Sequence, residues 1–175
     1  MYEGWTFERW ETPISDLQSI AMVSLVDDGE LTITVEDVMG ATRSRWAFRF
    51  ARAPIYQNIP EEYRLELWRH VHERGKRYGW TVRVPNSPWL FQLKANEALM
   101  DVHDPSLQHF QIGSEDDIID VLSAKAPDII ALGPARETDR KPGKSHVLFA
   151  HEFRDEVDAL IESAKRRDND IETTG

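Results

Sequence analysis

The residues able to carry chemistry are few, and their spacing restricts what they can do. The six histidines are His70, His72, His103, His109, His146 and His151. His70 and His72 lie two apart on a predicted helix, so they diverge by about 200° and cannot share a metal ion. His146 and His151 straddle a predicted helix start and are no better placed. No HExxH run or related ligand spacing occurs. His103 beside Asp104 has the residue types of a general base and its orienting acid, although such a loop pair is commonly only a surface contact. His109 is the other candidate base. The acidic run Glu115-Asp116-Asp117, with Asp120 after it, could gather a divalent cation. Its spacing is not that of an EF-hand loop, and turns between strands are often acidic simply because they are solvated.

Other reaction classes lack their signatures. There is no Gly-x-Ser-x-Gly elbow, and Ser87 before Pro88 reads as a helix cap. Gly143-Lys144-Ser145 follows no predicted strand and lacks the upstream glycine of a phosphate loop. The chain has no cysteine, which excludes disulfides, thiolate metal sites and cysteine nucleophiles. No cofactor and no metal is implied.

Charge narrows the partner class. The net charge is −10, distributed unevenly. Residues 1–42 carry one Arg against nine acids, residues 43–83 carry ten Lys or Arg against four, and residues 84–175 carry ten against eighteen. An acidic chain repels nucleic acid at long range, so generic DNA or RNA binding is not expected. The central basic block either pairs internally with the flanking acids, the favoured reading, or forms a local face for an anion. The opening residues MYEGWTFERWE have neither a basic start nor an apolar run, so no signal peptide is expected. No stretch reaches the ~18 apolar residues of a membrane span. A soluble, cytoplasmic protein is the expectation. Six Trp are many for 175 residues and are read as core anchors rather than as a binding surface.

The elements that would position these residues follow from periodicity. In Leu31–Glu36, Leu31, Ile33 and Val35 share one face. In Arg43–Phe50, Trp46, Phe48 and Phe50 share a face and Arg43, Arg45 and Arg49 point the other way. Gly40 lies in the reversing segment between them. Ile20–Val26 ends at Asp27-Asp28-Gly29, a hairpin signal, so three strands form a meander. Further strands are predicted at Trp5–Phe7, at Trp80–Val84, at His109–Ile112 with Asp117–Leu122, and at Ile129–Leu132 on an edge. Helices are predicted over 60–78, 88–100 and 151–166. The fold class expected is therefore α+β: one domain over 1–166 with a mostly antiparallel twisted sheet, about three helices packed mainly on one face, and a disordered tail over 167–175.

The order Trp46-x-Phe48-x-Phe50, then Tyr56, then Asn86-Ser87-Pro88-Trp89, then His109-Phe110-x-Ile112 with Glu115-Asp116-Asp117 and Ile119–Ser123 resembles small bacterial proteins whose layout is similar to immunity or antitoxin proteins of bacterial competition systems. The resemblance covers residues 31–125 and carries no catalytic residues. The lack of a catalytic constellation and of cysteine, the net charge of −10 and the acidic turns point to a non-enzymatic binding protein, and the resemblance implies one that neutralises a basic protein partner. Asp27, Asp28, Glu115, Asp116 and Asp117 are the acidic candidates for that contact. The alternative is a small-ligand protein or enzyme in which Arg43, Arg45 and Arg49 hold an anion and His103 or His109 acts as base. A third is a structural protein that self-assembles through a Trp patch into a homo-oligomer.

Overall fold

The computed structural model describes residues 5–65, 67, 69, 78–97, 103 and 106–135. Nine strands follow in order: β1 (Glu8–Arg9), β2 (Ile20–Asp27), β3 (Leu31–Asp37), β4 (Ser44–Phe50), β5 (Ile55–Pro60), β6 (Thr81–Arg83), β7 (Gln108–Gly113), β8 (Asp117–Ser123) and β9 (Asp128–Pro134). The helix α1 (Pro88–Asn96) lies between β6 and β7.

The strands form two antiparallel sheets. One has the order β2-β3-β4-β9 and the other β1-β6-β7-β8-β5. The predicted meander is the first three strands of the four-stranded sheet, with β9 added along β4. Its first turn is a three-residue loop in which Gly29 takes φ 101 and its N–H donates to Asp27 Oδ1 at 3.2 Å. Asp37 closes the next reversal by accepting from the N–H groups of Met39 and Gly40. A Cβ on Gly40 would displace that carboxylate.

The sheets pack face to face. Ile33, Val35, Phe48 and Phe50 from one meet Phe110, Ile112, Ile119 and Val121 from the other, with Trp10 between them. Phe50 and Phe110 touch at 5.8 Å between ring centroids, and Trp10 contacts both Phe48 and Phe110. The five-stranded sheet is buried on its second face as well. Trp5, Phe7, Leu67 and Trp89 cover Val82 and Ile118 there, and every residue of β8 is buried. Trp5 and Trp10 are core residues, and Trp46, Trp80 and Trp89 pack against the two clusters.

Among the described residues, the expected α+β layout of one sheet with about three helices is thus corrected to a mostly β arrangement of two antiparallel sheets with one helix described in full. The period-two runs were assigned to one sheet because each shows one apolar face. Segments 55–60, 81–83 and 108–123 instead form a sheet of their own, covered on both sides. Pro54 and Pro60 bracket β5, and a proline followed by two acids at 60–62 has the pattern of a helix start, which hides the strand in the sequence. Residues 61–64 form a 3-10 turn, and 65, 67 and 69 are helical. Pro60 closes β5 and Tyr78 is not helical, while 66, 68 and 70–77 lie outside the described residues, as do the 151–166 helix and the 167–175 tail. α1 realises the 88–100 prediction over 88–96. No helix among the described residues is long and apolar enough to cross a membrane.

Candidate functional site

A buried cluster of titratable side chains is built on the second face of the five-stranded sheet. Strand register sets Gln57, Asp120 and Gln111 side by side across β5, β8 and β7. His109 is two residues from Gln111 and shares its face. Asp120 Oδ1 accepts from His109 Nε2 and Gln111 Nε2, each at 2.9 Å. Asp120 Oδ2 accepts from Gln57 Nε2 at 2.9 Å and from the Arg64 guanidinium. Arg64 arrives from the turn after β5 and is itself buried.

Burial alone would raise the Asp120 pKa. The hydrogen bond and charge of His109, the charge of Arg64 and the bond from Gln111 outweigh it and hold the carboxyl below its ordinary value. An ionised carboxylate at this position fixes a proton on His109 Nε2. The other ring nitrogen, Nδ1, lies 2.8 Å from Ser87 Oγ. Ser87 is the N-cap of α1 and accepts from the Leu90 N–H at 3.0 Å, as the Ser-Pro pair predicts. Trp5 and Trp89 meet the imidazole edge to face.

Hydroxyl, imidazole and carboxylate therefore stand in the order of an acyl-transfer relay. The chemistry does not follow from the order. Four donors fill the four acceptor positions of Asp120. Arg64 neutralises the charge that would stabilise an imidazolium. Both His109 nitrogens are engaged, and Ser87 is a buried helix cap. The cluster ties β5, β7, β8, α1 and the turn at Arg64 together. The shallow depression beside it, about 440 Å³, is lined by Pro85, Asn86, Pro88, Leu90, Phe91 and Lys94 as well as Ser87.

The basic strand is answered from within. Glu36, buried on β3, pairs with Arg43 at 2.5 Å and with Arg45 at 2.7 Å, and Arg49 pairs with Glu30. These arginines lie on the outer face of the four-stranded sheet, opposite in parity to Trp46, Phe48 and Phe50. His109 lies on the far face of the other sheet. Two sheet layers separate them, so the structure does not bring the residues of the anion-holding alternative together. His103 is exposed. The acidic candidates also separate. Asp27 and Asp28 are exposed at the β2–β3 turn, and Glu115 and Asp116 are exposed at the β7–β8 turn. The second turn is fastened to the opposite end of β2 by the Glu115 N–H on the Ile20 carbonyl at 2.9 Å and by the Ser19 hydroxyl on the Glu115 carboxylate. Asp117 is buried, where burial raises its pKa against a partly offsetting bond from Asn58.

Sequence reasoning named His109 and the Ser87 cap but missed Asp120, Arg64, Gln57 and Gln111 as their partners. The available signal was an aspartate inside the apolar run Ile118–Leu122, facing the same way as His109 and Gln111. Comparison with family models, curated proteins and solved structures yields no match.

Proposed function

We propose that this chain is a non-enzymatic acidic binding protein that captures a basic protein partner. The observation that carries the reading is the internal neutralisation of Arg43, Arg45 and Arg49 by Glu30 and Glu36. Those arginines face acids of their own sheet, whereas Asp27, Asp28, Glu115 and Asp116 are exposed at two turns of a chain whose net charge is −10. Such a surface speeds encounter with a cationic partner and makes binding sensitive to salt. The Asp120 cluster supports the same reading, since its carboxylate and both nitrogens of His109 are taken up by partners within it. Neutralising a basic toxin is the form of this role to which the resemblance points.

The test replaces Asp28, Glu115 and Asp116 by Asn or Gln and measures association of a captured basic partner by surface plasmon resonance. The expected result is a slower on-rate with a shallower salt dependence. An unchanged on-rate and affinity would place the contact elsewhere.

A further inference from the structure

The two acidic turns are far apart, yet they share one strand. β2 is an edge of the four-stranded sheet, and its other side pairs with β3. The Val38 N–H donates to the Ser19 carbonyl at 3.2 Å, so the backbone groups of the next residue, Ile20, turn away from β3 toward the open side. The Glu115 N–H takes the Ile20 carbonyl there. From Met22 to Val26 no hydrogen bond from another described element reaches that edge.

The remaining edges are blunted. β1 is two residues long. β5 is bracketed by Pro54 and Pro60. β9 carries Gly133 at φ 78 followed by Pro134, and its pairing with β4 is irregular. β2 is the longest strand, with eight residues, and from Ile20 to Val26 it holds no charge, proline or glycine. A register shift between Met22 and Ser24 inverts the backbone direction, so Met22 and Leu25 face the open side while Ser24 and Val26 face β3. Val26 is 49% exposed.

Charge selects the occupant. Asp27 and Asp28 stand at one end of β2, with Glu115 and Asp116 at the other, about 23 Å apart at ~3.3 Å per residue. A second copy pairing along this edge would set acid against acid at both ends, in either direction. A strand with cationic ends would meet opposite charge at both.

We propose that the open edge of β2 is the docking site of an extended segment of a basic protein. The segment adds a strand to the four-stranded sheet, and its cationic ends reach Asp27–Asp28 and Glu115–Asp116. The proposal rests on the binding reading above and gives it a geometry: backbone hydrogen bonds at Met22 and Leu25 and charge contacts at the two turns.

The experiment titrates the ¹⁵N-labelled full chain with the peptide Lys-Lys-Val-Thr-Val-Thr-Val-Thr-Lys-Lys. Controls are the same peptide with Glu for each Lys, and one with a central Pro that cannot pair as a strand. The proposal expects saturable binding with slowed amide exchange at Met22 and Leu25, whose backbone groups face away from β3. Affinity should be at least about tenfold lower for the Glu-ended peptide and for the Pro peptide. Ser24→Lys should weaken binding by about tenfold, with far-UV circular dichroism and Tm unchanged. Equal binding of the Pro peptide, or amide changes away from β2, would overturn the edge site and leave acidic capture standing. Capture of a basic protein while no peptide binds would do the same. If neither a basic peptide nor a basic protein binds, both readings fail.

Discussion

His109 Nε2 lies 2.9 Å from Asp120 Oδ1, and neither side chain reaches solvent. A buried carboxylate is tolerable only when donors replace the water it has lost. Here strand register supplies two amides, and the imidazole and the guanidinium complete the set. The cluster lies where β5, β7 and β8 meet α1 and the turn at Arg64, so it couples layers that apolar packing alone would join less specifically.

Removing the charge at its centre should be expensive. Asp120→Asn leaves the buried Arg64 guanidinium without its carboxylate and is expected to cost about 3–5 kcal/mol in urea unfolding. Adding Arg64→Met should restore part of that loss, because the buried cation goes with the carboxylate that faced it. Additive losses in the double variant would contradict the pairing.

Acid should act through the same residue. The Asp120 pKa is depressed in the folded state, so its stabilisation is present above the unfolded-state value near ~3.9 and is lost as pH falls through the folded value. The Tm of the wild-type chain should therefore fall steeply below about pH 4. Asp120→Asn should flatten that limb, and parallel profiles for the two proteins would contradict the assignment.

Asp117 has the opposite sign. Burial raises its pKa, so the folded chain holds the proton more tightly than the unfolded chain. Its ionised form costs stability at neutral pH, and the cost is relieved as pH falls through the raised value. Asn58 Oδ1 nearby is buried without a hydrogen-bond partner. Asp117→Asn removes the charge and supplies an amide donor beside it. A higher Tm at neutral pH is expected, with a gain that shrinks on acidification. A gain independent of pH would show that charge is not its source.

Glu36 tests the neutralised strand. Glu36→Gln releases Arg43 and Arg45 from a buried carboxylate and should cost about 1–3 kcal/mol. It should also lengthen retention on a heparin column at low salt, because cationic groups become available. Unchanged retention would mean that those arginines were never withheld from anions.

Much of the strand pattern could be read from the chain. Leu31–Val35 and Trp46–Phe50 alternate cleanly because one side meets the core and the other meets solvent or ion pairs. Asp27-Asp28-Gly29 marks its turn through the φ that glycine alone takes easily. The second sheet was less legible. His109, Gln111 and Asp120 alternate with Phe110, Ile112 and Ile119, and a polar face normally means solvent. Here that face is covered by Trp5, Trp89 and Leu67, whose approach depends on contacts far apart in sequence. Prolines at 54 and 60 disguised β5, since an edge strand tolerates them where a central one would not. The acidic turns were visible as candidates, but their placement at opposite ends of β2 needed the fold.

The most direct measurement is affinity capture of the tagged full chain from its own cells at low and at high salt, with mass spectrometry of whatever is recovered in stoichiometric amount. The account predicts one basic protein, held at low salt and weakened or lost at high salt. Recovery of the chain alone at both salts, or of a partner that is acidic and insensitive to salt, would contradict it.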